Sequence, residues 1–180
     1  CEGCYFYEGD KQFVSENRDL DAWRALMARE KERGITYTVL AGAEPSLVPD
    51  RCRVCCQVIP WGAIATNGLK RIPGDVDYQV HISVWGNDAT SLRVRNAEHM
   101  LERQIANYKG DPRAVFVYTF TRENIQEVHE VLDMLSQNGC RVTFNMFSAP
   151  VGYDGPLRHH AESLHHARRT AMELLERYPE

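Results

Sequence analysis

The sequence predicts an α/β fold: a partial (β/α)6 TIM-like barrel whose first strand is missing from the chain. Three observations predict it. Short β-rich runs alternate with helical patterns, which implies a parallel sheet. Residues able to do chemistry recur where those strands end, the edge at which parallel α/β architectures build their sites. The chain also starts inside a Cys-x-x-Cys motif, Cys1-Glu2-Gly3-Cys4, followed by a helical pattern, and that motif asks for a strand before it. Five visible strands plus the absent one make six βα units, too few for a closed eight-unit barrel.

The strand expectations run in order. Residues 35–41 (ITYTVLA) are entered from Gly34, and residues 62–66 (GAIAT) are closed by Asn67-Gly68. Residues 78–84 (YQVHISV), 114–120 (AVFVYTF) and 141–147 (RVTFNMF) follow. Helical patterns separate most of them. Asp19 is placed to cap a helix carrying Trp23, Leu26 and Met27, which Gly34 ends. Residues 89–108 read as one helix with Leu92, Ala97, Met100, Leu101 and Ile105 on its apolar stripe. Residues 122–138 carry Ile125, Val128, Val131, Leu132 and Leu135 before Gly139, and residues 160–178 carry Leu164, Ala167, Ala171, Leu174 and Leu175. Pro150 to Pro156 reads as a loop within the domain, so residues 1–180 are expected to form a single domain.

Composition narrows the function classes. A chain of 180 residues with 43% apolar content can bury a core of its own. Net charge is −4 with no basic stripe, so nucleic-acid binding has no electrostatic support. No apolar run reaches the ~20 residues of a membrane-spanning helix. The six cysteines, at positions 1, 4, 52, 55, 56 and 140, are clustered and uneven, unlike a secreted disulfide framework, which favours a reducing cytoplasm.

The strand ends supply the candidate site. Cys1 and Cys4 follow the absent first strand, and Gly42-Ala43-Glu44-Pro45 follows the second. Then come Thr66-Asn67-Gly68, Ser83-Val84-Trp85-Gly86, Thr119-Phe120-Thr121 and Asn145-Met146-Phe147-Ser148. Taken alone, Cys1-x-x-Cys4 also suits a thiol redox pair or half a zinc site.

In this order and spacing the motifs resemble the core of the radical S-adenosylmethionine (SAM) enzyme superfamily. Cys1 and Cys4 match the last two cysteines of its Cys-x-x-x-Cys-x-x-Cys, which places the first cysteine four residues upstream of this chain. Gly42-Ala43-Glu44-Pro45 resembles its Gly-Gly-Glu-Pro motif, with Ala43 in place of one glycine. Ala65-Thr66-Asn67-Gly68, His81-Ile82-Ser83-Val84 and Thr119 to Asn124 resemble later strand ends. The resemblance implies Cys1 and Cys4 as ligands of a [4Fe-4S] cluster. It implies Gly3, Gly42, Ala43, Glu44, Pro45, Thr66, Ser83 and Thr119 as cofactor-binding residues for SAM. It further implies reductive cleavage of SAM to a 5′-deoxyadenosyl radical that abstracts a substrate hydrogen, and an electron donor such as flavodoxin or ferredoxin. The substrate class stays open among peptides, proteins and small molecules. A non-catalytic binding domain on the same fold and a Cys-x-x-Cys thiol oxidoreductase are the alternatives.

Cys52-x-x-Cys55-Cys56 has the look of an auxiliary cluster or zinc motif, but on a helix these residues form an apolar stripe with Ile59, and packing is the expectation. His159-His160 and His165-His166 are expected on a solvated face, and Trp85 either lines the substrate pocket or caps the barrel.

Overall fold

The computed structural model describes residues 19–177. Residues 1–18, with Cys1, Gly3 and Cys4, lie outside the described residues. Helix α1 (Leu20–Glu32) starts where Asp19 accepts a hydrogen bond from the Asp21 N–H at 2.9 Å. Gly34, at φ +91°, lets the chain leave that helix in the left-handed region.

Five strands follow: β1 (Thr38–Leu40), β2 (Gly62–Thr66), β3 (Gln79–Val84), β4 (Ala114–Phe120) and β5 (Val142–Met146). All neighbours are parallel, and the strand order in space equals the order in the chain. A doubly wound sheet reverses its order partway along, whereas a barrel does not, so the sequential order is that of a partial barrel.

Strand alternation gives the sheet two unlike faces. Val80, Ile82 and Val84 of β3 and Phe116, Tyr118 and Phe120 of β4 are buried. They join a core with helices α2 (Pro49–Val58), α4 (Met100–Tyr108), α5 (Val128–Gln137) and α6 (Ala161–Arg177). The opposite face carries smaller and more polar residues in register: Ala65, His81 and Val115, then Ser83, Val117 and Thr143. These are half-buried or exposed. A β-branched or aromatic side chain stabilises by about 1.5–3 kcal/mol when fully buried, so the aromatic face sets the sheet against its helices and leaves the other face open.

Three expected boundaries change by more than a single residue at an end. Strand β1 spans Thr38–Leu40 instead of residues 35–41; Ile35, Tyr37 and Val39 are exposed along this edge of the sheet. The single helix expected over 89–108 is two, α3 (Asp88–Arg95) and α4, because Asn96 and His99 both adopt left-handed backbone conformations. Asn96 closes α3, and Asp88 accepts the Leu101 N–H at 2.7 Å at the start of α4. Leu92, expected on the apolar stripe, is exposed. The helix expected from Arg122 begins as a 3-10 turn at Ile125–Glu127 and becomes α5 at Val128, since residues 121–124 form a turn closed by Asn124.

Candidate functional site

At the end of β1, Glu44 is half-buried and does more than line a surface. Its Oε1 accepts the Ser46 N–H at 3.0 Å and the Thr66 hydroxyl at 2.6 Å, and its Oε2 accepts the Asn67 N–H at 2.8 Å. One carboxylate thereby caps the 3-10 turn Pro45–Leu47 and ties the end of β1 to the end of β2. Thr66 is 2% exposed, and its hydroxyl also accepts the Gly68 N–H at 3.1 Å. The structure thus brings Glu44 and Thr66 together, with Thr66 turned toward Glu44 and away from open space.

The same device repeats along the rim. Gln104 of α4, buried, donates through Nε2 to the Asn67 carbonyl at 2.7 Å and the Ser83 carbonyl at 2.9 Å, joining β2 to β3. Asn124, fully buried, donates to the Trp85 carbonyl at 3.0 Å and the Thr119 carbonyl at 2.9 Å, joining β3 to β4, while its Oδ1 accepts the Thr121 N–H. Glu127 accepts the Asn87 N–H at 3.0 Å and the Thr90 hydroxyl at 2.5 Å. Gly86 makes room for it: a Cβ there would stand 2.5 Å from Glu127 Oε2, and φ is +127°. Glu44, Gln104, Asn124 and Glu127 are each hydrogen-bonded across neighbouring segments, so the strand ends are held as a unit rather than as loose loops; the buried Ser46 hydroxyl is left without a partner among the described residues.

On the open side of this rim the hydroxyls of Ser83 and Thr119 have no hydrogen-bond partner among the described residues. Their carbonyls are the groups held by the latches. Lower on the same face His81 faces Gln79 Oε1 at 3.1 Å, and burial lowers the imidazole's pKa. Trp85 meets Phe147 edge-on at 5.6 Å, and Phe147 meets Tyr153 at 5.8 Å, so an aromatic wall closes the β3–β5 side. Arg95 stacks over Trp85 at 5.5 Å and donates to the Ser83 carbonyl at 3.0 Å.

On the β1 side, Gly42, Ala43, Glu44 and Pro45 line a cleft of about 480 Å³ with Val39, Trp23 and the helix residues Cys52 and Cys55. A side chain at Gly42 would meet no atom within 4 Å, so the Gly42-Ala43 backbone faces free space. Cys52 and Cys55 are buried, and desolvation pushes both thiols up to about 11. They are neutral core residues, as the helical stripe predicted. His165 and His166 are exposed as expected; His159 is instead half-buried, with Nε2 3.0 Å from the Phe120 carbonyl.

Gln104 and Glu127 were not singled out from the sequence. Gln104 did leave a signal, because it interrupts the apolar stripe of Leu101, Ile105 and Tyr108 at a position that turns out to be buried. Among the described residues no helix is long and apolar enough to cross a membrane.

No family model matches the sequence, and no curated protein matches it either. Solved structures do. SuiB of Streptococcus suis bound to S-adenosylmethionine superposes with a TM-score of 0.74 at 14% identity, covering 98% of this chain and 44% of SuiB. Another SuiB structure gives a TM-score of 0.71 at 13% identity. The enzyme anSMEcpe with bound AdoMet gives 0.66 at 11% identity, covering 98% of this chain and 56% of that one. The chain spans about half the length of these structures. At such identities the likeness is one of fold: a radical SAM-like α/β fold over nearly the whole chain.

Proposed function

We infer that this chain is the core of a radical SAM enzyme. The observation that carries the reading is the rim itself. Gly42 to Pro45, Ser83 and Thr119 are gathered at the carboxyl ends of parallel strands, in a fold shared with two structures that hold SAM.

The described residues fit SAM. The cofactor needs a close backbone approach, acceptors for its ammonium and partners for its hydroxyl and carboxylate groups. Gly42 and Ala43 present bare backbone beside a cleft. Glu44 Oε2 keeps one lone pair after accepting the Asn67 N–H, which suits an ammonium donor. Ser83 and Thr119 offer hydroxyls with no partner among the described residues. Thr66 acts one step back, holding Glu44 in place, and Pro45 fixes the turn that aims it.

The thiolates of Cys1 and Cys4, with a third from a cysteine upstream, would hold a [4Fe-4S] cluster and leave one iron without a protein ligand. Bound there, the cluster and SAM would supply reductive cleavage and a 5′-deoxyadenosyl radical able to take a substrate hydrogen atom. The chain's own part is to orient and to exclude water. The latched rim fixes the strand ends, and the aromatic wall of Trp85, Phe147 and Tyr153 shields the open face above His81.

The test is anaerobic reconstitution of the full-length protein with iron and sulfide. The expected product carries four irons per chain with broad visible absorption, lost in Cys1→Ala and in Cys4→Ala. A protein that takes up no iron, or that keeps its iron in both variants, overturns the reading.

A further inference from the structure

A second rim feature has no place in the cluster and SAM reading. Between the end of β4 and the start of α6 lies a cavity of about 360 Å³, lined by Arg122, Asp154, Gly155, Arg158, His159 and His160. In a chain of net charge −4, this cavity carries two arginines and one acid. Arg122 is exposed, and its guanidinium has no ion pair or hydrogen bond among the described residues. Among the described residues the Arg158 guanidinium meets only the Tyr153 carbonyl at 3.2 Å and Asp154 at 3.5 Å, and that aspartate is 94% exposed, so the pair is weak and solvent-screened.

The cavity is built rather than incidental. The Arg122 N–H donates to the Leu157 carbonyl, which clamps the β4 end against the loop before α6. His159 is fixed at both ring nitrogens, by the Phe120 carbonyl at 3.0 Å and the Ser163 hydroxyl at 3.3 Å. His160 and Ser163 cap each other reciprocally at the head of α6, a 17-residue helix whose positive end adds to the field of the arginines.

We propose that this cavity binds an anionic group, a carboxylate or a phosphate, on a ligand that reaches the rim, with Arg122 and Arg158 as its charged contacts. A guanidinium left without a partner is a fork of donors matched to both oxyanions. The volume accommodates such a group together with part of the molecule that bears it. The neighbouring strand ends lead from here to the open face that holds Ser83 and Thr119, so an anion bound at Arg122 would anchor the remote part of a molecule whose other end lies over that face.

Calorimetric titration of the full chain with inorganic phosphate and, separately, with glutarate tests this without cluster or SAM, so its failure leaves the reading of the SAM site untouched. Saturable binding of phosphate, of glutarate or of both is expected, and which one saturates identifies the anion. Arg122→Gln and Arg158→Gln should each weaken it about tenfold or more, as loss of a charge-assisted hydrogen bond does. The double control Arg168→Gln/Arg169→Gln on the exposed side of α6 should leave it unchanged. Should Arg158→Gln lower the unfolding midpoint, Arg122→Gln, whose side chain holds nothing else among the described residues, decides alone. Absence of saturation with either anion, or equal affinity in Arg122→Gln and the control, overturns the proposal.

Discussion

The carboxylate of Glu44 accepts the Thr66 hydroxyl at 2.6 Å, across the ends of two neighbouring parallel strands. Removing the carboxylate strands three donors at once: the Thr66 hydroxyl and the N–H groups of Ser46 and Asn67. Glu44→Ala should therefore destabilise by about 1–3 kcal/mol and abolish SAM binding, whereas Glu44→Gln, which keeps one acceptor oxygen, should lose less stability. Chemical denaturation of both variants beside a SAM titration checks the order.

Asn124 should matter more for folding than any residue expected to touch SAM. It is fully buried and satisfies Thr121, Trp85 and Thr119 together. Asn124→Ala should cost about 3 kcal/mol or more, since a buried network is broken and not merely trimmed. An unfolding midpoint equal to that of the parent chain would remove Asn124 from the account.

Ser83 and Thr119 should behave oppositely. Their hydroxyls hold nothing among the described residues, so Ser83→Ala and Thr119→Val should leave stability near that of the parent. Each should weaken SAM binding by about two- to tenfold, the worth of a neutral hydrogen bond. Stability loss with unchanged SAM affinity would place these hydroxyls in the fold instead of the site.

How legible this was in the sequence differs by level. Strands β2 and β4 were readable to the residue, because a buried parallel strand is a short apolar run bounded by turn chemistry. The break between α3 and α4 was not, because it depends on Asn96 and His99 entering left-handed conformations and on Asp88 reaching across to the Leu101 N–H. Strand-end residue types pointed to the rim, yet not to their division of labour. Glu44 and Thr66 look equally available in sequence, and only the partner across the strand gap shows that Thr66 supports Glu44. Gln104 works over long sequence separations, which no local pattern encodes.

The buried thiols give a pH dependence with a definite sign. Cys52 and Cys55 are pushed up to about 11 in the fold, from an ordinary value of 9.0, chiefly by desolvation. Between those values the folded chain holds protons that the unfolded chain has released. Stability from these groups is therefore complete below pH 9 and falls as pH rises toward about 11. Tyr78, pushed up to about 12 by burial, extends the same trend. Denaturation midpoints across this alkaline range should fall, and less steeply in Cys52→Ala/Cys55→Ala. A flat profile contradicts the burial of these thiols.

The most direct measurement is of SAM itself. The full-length protein, reconstituted with iron and sulfide without oxygen and reduced with dithionite, should convert SAM to 5′-deoxyadenosine and methionine, detected by mass spectrometry. Conversion should vanish both in Cys4→Ala and in Glu44→Ala. Intact SAM in the presence of an assembled, reduced cluster would contradict the account.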